Sequence, residues 1–192
     1  MNSTYSLPDW AYANGGAQSQ GIIRTIPDDF IVNEIQSFEL SGTGEHAFIL
    51  IEKCSENTDY VARLLARFAG VRQRDVSYAG LKDRHARTRQ WFSVWLPGKP
   101  DPDWQEINSD TIQVLEATRH SKKLKRGSLA GNQFNICVRD WIGDKAILEQ
   151  QLQTIKTQGV PNYFGAQRFG REGANIAKAM ALFSGEKVSR NL

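Results

Sequence analysis

The sequence is poor in the residues that most often mark a metal or redox centre. It holds two cysteines and three histidines in 192 residues. Cys54 and Cys137 belong to no C-x-x-C pair and neither adjoins a histidine, whereas a zinc site needs such clustering. No metal is expected. Each cysteine sits among apolar residues, in ILIEKC and FNICVRD, and reads as a reduced, mostly buried thiol. His46, His85 and His120 lie far apart with no acidic cluster for Mg²⁺, which argues against a nuclease. A dinucleotide fingerprint and a P-loop are also absent, so no small-molecule cofactor is expected. No apolar run is long enough to cross a bilayer, and the first residues lack a basic start followed by an apolar core. The expectation is a cytoplasmic protein without a membrane partner.

What is present is an uneven charge. The net charge is +3, but residues 1–60 carry two Lys/Arg against nine Asp/Glu, and residues 61–139 carry fifteen against seven. A basic middle is what a face that meets a polyanion requires. Hydrophobic residues make up 40% and charged residues 23%, enough apolar material for one domain with a core, or one and part of a second.

GIIRTI (21–26) and DFIVNEI (29–35) read as β-branched strands, and HAFILIEKC (46–54) as a more buried one. Asn57-Thr58 caps a helix with apolar residues at 61, 64, 65 and 68, ending near Gly70. Residues 80–90 have no periodicity and read as a loop, followed by a strand at 91–96. Residues 99–110 resemble a linker. IQVLEATRH (112–120) and NQFNICVRD (132–140) read as strands flanking a basic turn, SKKLKRGSLAG. Helices are expected from about Asp144 to Thr157, with Gly159 at the end, and from about Gly173 to Phe183. The fold class is α+β: a largely antiparallel mixed sheet with peripheral helices. The chain stops directly after a helix, so the fold is expected to be incomplete.

The most informative run is SYAGLKDRHARTRQWFSVWL (77–96). Asp83 follows Gly80 and lies between Lys82 and Arg84, with Arg87 and Arg89 beyond. Adjacent cations would keep its carboxylate ionised and attract an RNA phosphate. On chemistry alone, Asp83 is either a reacting carboxylate or a loop aspartate paired with Arg84 or Arg87.

YAGLKDRHARTRQWFSV closely resembles the signature of the TruD family of pseudouridine synthases, whose GLKDR aspartate is catalytic. DDFIVNEI (28–35), AGNQFNI (130–136) and VPNYFGAQRFGREGANI (160–176) resemble further family motifs, in the family's order. The resemblance implies a pseudouridine synthase catalytic fold acting on tRNA, usually at uridine 13. Residues 1–157 would be the first part of the catalytic domain and 158–192 the start of a family-specific insertion. Carried over, Asp83 is catalytic, Phe30 lies against the target base, Asn132 and Phe134 contact substrate, and Arg24 and Lys82 lie near the active site. The family also uses an aromatic residue beyond the end of this sequence.

Pseudouridine formation moves uracil from an N1 to a C5 link with the ribose and needs one placed carboxylate, as nucleophile or as base. The residues do not choose between these roles. A target base must leave its stack, and aromatic faces such as Phe30, Phe134, Tyr163 and Phe164 can offset that. Arg84, Arg87, Lys122, Lys123, Lys125, Arg126, Arg168 and Arg171 are candidate contacts to the RNA backbone; a solvated hairpin turn also accounts for 122–126, and ion pairing for Arg168 and Arg171. The alternative to an enzyme is a non-catalytic RNA-binding fragment.

Overall fold

The computed structural model describes residues 12–13, 15–170 and 173–186, so Arg171 lies outside the described residues. The chain forms two compact units, Gly21–Trp141 and the segments before and after it.

In the larger unit the strands are β1 (Ser19–Ile23, entering from the other unit), β2 (Phe30–Ile35), β3 (His46–Cys54), β4 (Val76–Tyr78), β5 (Arg87–Trp95), β6 (Ile112–His120), β7 (Gly131–Ile136) and β8 (Val138–Gly143, leaving it). Five of them form the path β6-β3-β5-β2-β7, with β4 attached to β5; β1 and β8 form a separate ribbon. Within the larger sheet β2 and β5 run parallel, and the other neighbouring pairs are antiparallel. The sheet is therefore mixed and largely antiparallel, as expected. Helix α1 (Thr58–Phe68) covers one face of it. Val61, Ala62, Leu65 and Ala66 recur at helical spacing and bury against Ala47, Ile49, Ile51, Phe92 and Val94.

Five expectations change. Strand β5 begins at Arg87, four residues before Trp91, because Thr88 and Gln90 are fully buried polar residues. Pairing on both edges satisfies the backbone there, and the polar side chains hide the strand from an apolar pattern. The linker-like stretch holds a 3-10 turn at Trp104–Ile107, capped by Asp103, and buries Trp104 and Ile107 in the core. The run 132–140 splits at Cys137 into β7 and β8, which belong to different sheets, and Cys137 is exposed while Cys54 is half-buried. The basic stretch 121–130 is not a hairpin turn. It joins β6 to β7 at opposite edges of the sheet, and its Leu124 is buried with Phe48, Ala79 and Trp91.

Asp29 closes the start of β2. Its buried carboxylate accepts Nε and Nη2 of Arg139, each at 2.7 Å, and the Ile26 amide at 3.2 Å. The Arg139 hydrogen bond, working against burial, lowers its pKa from the usual 3.8 to about 2. A depressed carboxyl contributes stability that is complete above the unfolded value and is lost as pH falls through the folded one. Urea midpoints of the wild-type chain are expected to drop between pH 3.8 and about 2, and Asp29→Asn is expected to flatten that interval and to lower the midpoint at neutral pH. An unchanged acid limb in the variant would refute the assignment.

In the second unit, α2 (Lys145–Gln158) is capped by Asp144, whose carboxylate accepts the amides of Ala146 and Ile147, and ends at Gly159 with φ 74°. Helix α3 (Ala174–Phe183) starts after Gly173. Both helices lie where the sequence pattern put them.

Candidate active site

The strand order explains how Asp83 is presented. One edge of β5 pairs with β2 at residues 87–89 and with β4 at residues 92–94. The two neighbours cannot both continue, so the chain leaving β4 is turned off the sheet edge into the 79–86 loop before it re-enters as β5. Asp83 lies on this loop, at the split.

The loop is held through its main chain. Gln90 donates from Nε2 to the Gly80 carbonyl at 3.1 Å, while its Oε1 accepts the Thr58 hydroxyl at 2.9 Å. Thr58 in turn accepts the Lys82 amide at 3.1 Å. The Lys53 ammonium donates to the carbonyls of Asp83 and Glu56 at 2.8 and 2.7 Å. Glu34 fills the gap at the split: one carboxylate oxygen accepts the Trp91 amide at 3.2 Å and the other meets Lys82 Nζ at 2.6 Å. Those two side chains are 2% and 4% exposed, so this is a buried ion pair. Peptide groups that a strand partner would have satisfied are taken up by side chains instead.

With its backbone fixed, the Asp83 carboxylate remains 43% exposed and faces Arg24 Nη2 at 3.6 Å. Arg24 leaves β1 with φ 62°, a conformation that turns the chain sharply. Its guanidinium lies 3.8 Å over the Phe30 ring, and Phe30 meets Phe134 edge to face at 5.9 Å. In the strand register, Phe134 stands opposite Val32 and Asn132 opposite Glu34, so Phe30, Glu34, Asn132 and Phe134 share a sheet face. Phe30 is buried, whereas Phe134 is 51% exposed. The result is a carboxylate beside a cation, next to an aromatic wall with one open ring.

Two expectations about charge change here. Neither sequence neighbour of Asp83 supplies its partner: Lys82 turns inward to Glu34, and Arg84 Nε donates to the Ser55 carbonyl at 3.2 Å. Arg87 is held by Asp28 at 2.5 Å and Glu52 at 2.8 Å, hydrogen bonds that raise its pKa further. Arg89 bonds the other oxygen of Glu52 at 2.7 Å. The partner of Asp83 comes instead from Arg24, distant in sequence.

Lys122, Lys123, Lys125 and Arg126 are all exposed. Lys123 donates to the Arg74 carbonyl at 2.8 Å, and Arg126 lies 3.9 Å over the Tyr78 ring. Lys122 and Lys125 have no ion-pair partner among the described residues. In the second unit, Tyr163 and Phe164 are exposed, and Arg168 stacks on Phe164 at 4.6 Å. No cluster of three metal-ligating side chains occurs among the described residues.

The family resemblance points to Asp83, Arg24, Phe30, Asn132 and Phe134, and not to the supports Lys53, Thr58 and Gln90. One signal was available for Lys53: a lysine at an inward position of the apolar run HAFILIEKC needs a polar partner.

Comparison with known proteins gives a consistent family. The family model described as tRNA pseudouridine synthase D (TruD) matches residues 10–182. A protein named tRNA pseudouridine synthase D from Methylococcus capsulatus is 53% identical over 185 residues, which cover 95% of this chain and 52% of that protein. Its namesake from Pseudomonas fluorescens is 49% identical over 179 residues, with 93% and 50% covered. The chain thus spans about half the length of these relatives. A crystal structure of a putative tRNA pseudouridine synthase D from Methanosarcina mazei is similar with a TM-score of 0.71 and 32% identity, over 86% of this chain and 39% of that one.

Proposed function

This chain belongs to the tRNA pseudouridine synthase D (TruD) family, and on that premise we propose that it isomerises uridine to pseudouridine in tRNA, at position 13, with Asp83 as the reacting carboxylate. The observation that carries the proposal is an exposed carboxylate on a main-chain-clamped loop, beside Arg24 and the Phe30–Phe134 wall.

The target base leaves its stack and packs against Phe134, with Phe30 behind it and Asn132 bonding the base edge. A stacked base contributes about 1–3 kcal/mol, comparable with the few kcal/mol of unstacking. Asp83 then acts on the ribose, as nucleophile at C1′ or as base on the sugar, while the N1–C1′ bond breaks. Arg24, 3.6 Å from the carboxylate, orients it. The freed uracil, retained against the rings, turns and bonds to C1′ through C5; in the nucleophile route this displaces the Asp83 oxygen from C1′, and in the base route Asp83 returns the proton to the sugar. C5 loses a proton and N1 gains one, so no oxidant, metal or cofactor enters the balance. Lys82, paired to Glu34, supports the loop from below.

We assign Arg84, Lys122, Lys123, Lys125, Arg126 and Arg168 to the RNA backbone, and Arg87 to the ion-pair frame that supports them. Lys122 and Lys125 are the clearest of these because nothing in the described chain pairs with them. Each phosphate neutralised contributes about 0.9 to the slope of log affinity against log salt, so Lys122→Ala/Lys125→Ala is expected to lower that slope by nearly 2. An unchanged slope in a filter-binding titration would remove this segment from the interface.

We also propose a cytoplasmic setting; no described helix is long and apolar enough to cross a membrane. We take residues 1–157 as the first part of the catalytic domain and 158–192 as the start of the insertion, a boundary supported by the end of α2 at Gln158 and the positive φ of Gly159.

Coverage of half of each relative favours one rival, an RNA-binding fragment without turnover. Tritium release from tRNA labelled at uracil C5 separates them. Release that depends on Asp83 supports the enzyme; RNA binding without release supports the fragment.

A further inference from the structure

Lys53 is the second residue from the end of β3 and is fully buried. A buried ammonium ordinarily sits against a carboxylate. Lys53 does not: its hydrogen bonds go to two main-chain carbonyls, those of Glu56 and of Asp83 itself. On the adjoining strands it lies opposite Thr88 and Ile112, which offer no countercharge. The charged and titratable groups that face it are Asp83, Glu56, Lys82 and Cys54. A charge so placed has a high desolvation cost, which its two carbonyl hydrogen bonds and the facing Asp83 and Glu56 charges oppose.

We propose that Lys53 is a positioning residue for Asp83, its buried ammonium acting through the Asp83 carbonyl to set where the loop carries the carboxylate. This rests on Asp83 being the reacting group. The carbonyl and the carboxylate belong to one residue, so a shift of the first displaces the second. Misplacement by about 1 Å costs on the order of 100-fold in rate.

The clamp is pH-sensitive. Burial lowers the Lys53 pKa from 10.5 to about 8, opposed first by the Asp83 charge and then by that of Glu56. Above that pH the ammonium becomes a neutral amine and its hold on the two carbonyls weakens.

The test uses the full chain with C5-tritiated tRNA, comparing wild type, Lys53→Met, Glu56→Gln and Asp83→Asn across pH. The expected wild-type kcat falls as pH rises through about 8. Lys53→Met is expected to lower kcat about 100-fold at neutral pH with little change in KM, and to abolish the alkaline fall. Glu56→Gln is expected to keep the plateau kcat and to move the alkaline midpoint to lower pH, since it removes one anion facing Lys53. If Lys53→Met does not fold, the Glu56→Gln shift decides.

The Lys53 titration is also read without turnover from the ¹³Cε resonance of Lys53, whose midpoint is expected to fall in Asp83→Asn. An alkaline fall that persists in Lys53→Met, or a Lys53 midpoint unmoved by Asp83→Asn, overturns the proposal. Turnover that survives Asp83→Asn overturns instead the assignment of Asp83 as the reacting carboxylate, while the Lys53 titration still reports whether the two groups are coupled.

Discussion

Asp83→Asn is expected to lower the rate of tritium release by at least about 100-fold, and toward 10,000-fold, while tRNA affinity and thermal stability stay close to wild type. The three parts have separate causes. The amide keeps the size of the carboxylate but can neither attack C1′ nor accept a proton from the sugar. Affinity is expected to be spared because the contacts proposed for the RNA are cations and aromatic faces, and removing an anion beside a polyanion does not weaken them. Stability is spared because the native contact of the carboxylate is a half-exposed pair with Arg24 at 3.6 Å, and exposed ion pairs contribute about 0–1 kcal/mol. The loop itself is held by Gln90, Thr58 and Lys53 through main-chain atoms that the substitution leaves in place. Equal turnover in the variant would remove Asp83 from the mechanism. A large fall in melting temperature would show that Asp83 is part of the scaffold.

Glu34→Ala is expected to act in the opposite way, on the scaffold first. It leaves Lys82 charged and buried, which costs about 3–5 kcal/mol. It also strips the Trp91 amide of its acceptor, worth about 1–3 kcal/mol more if water cannot enter. Against a typical total of about 5–15 kcal/mol, the variant is close to unfolding at 37 °C. Removing both charges should reverse much of this loss, because a buried pair replaced by apolar residues of similar volume is often neutral. Glu34→Leu/Lys82→Met is therefore expected to recover most of the urea midpoint without recovering turnover, since the loop loses its support. A Glu34→Ala chain within about 1 kcal/mol of wild type would mean that water reaches the pair in solution.

Much of the scaffold was legible along the chain. HAFILIEKC and IQVLEATRH became β3 and β6 with the expected ends: the apolar run of the first is buried along most of its length, and the alternation that starts the second buries Ile112 and Val114. Gly159 and Gly173 marked the ends of helices, since a positive φ there suits glycine. Strand β5 was legible only in part: its first residues are polar, and the buried Gln90 finds its partners on α1 and the 79–86 loop. The stretch 121–130 misled because a short basic run between two strands looks like a hairpin, and strand order is not a local property.

The candidate site divides in the same way. The run around Asp83 was legible through its resemblance to a family signature, and the same resemblance pointed to Phe30, Asn132 and Phe134 as candidates. The partner of each charge was not. Lys82 and Arg84 flank Asp83 in the chain, yet the carboxylate meets Arg24, and Lys82 meets Glu34. Sequence neighbours on an extended backbone point to different sides, so adjacency in the chain says little about which charges meet. The branching of β2 and β4 from one edge of β5 decided that, and the buried ammonium of Lys53 holds the Asp83 carbonyl.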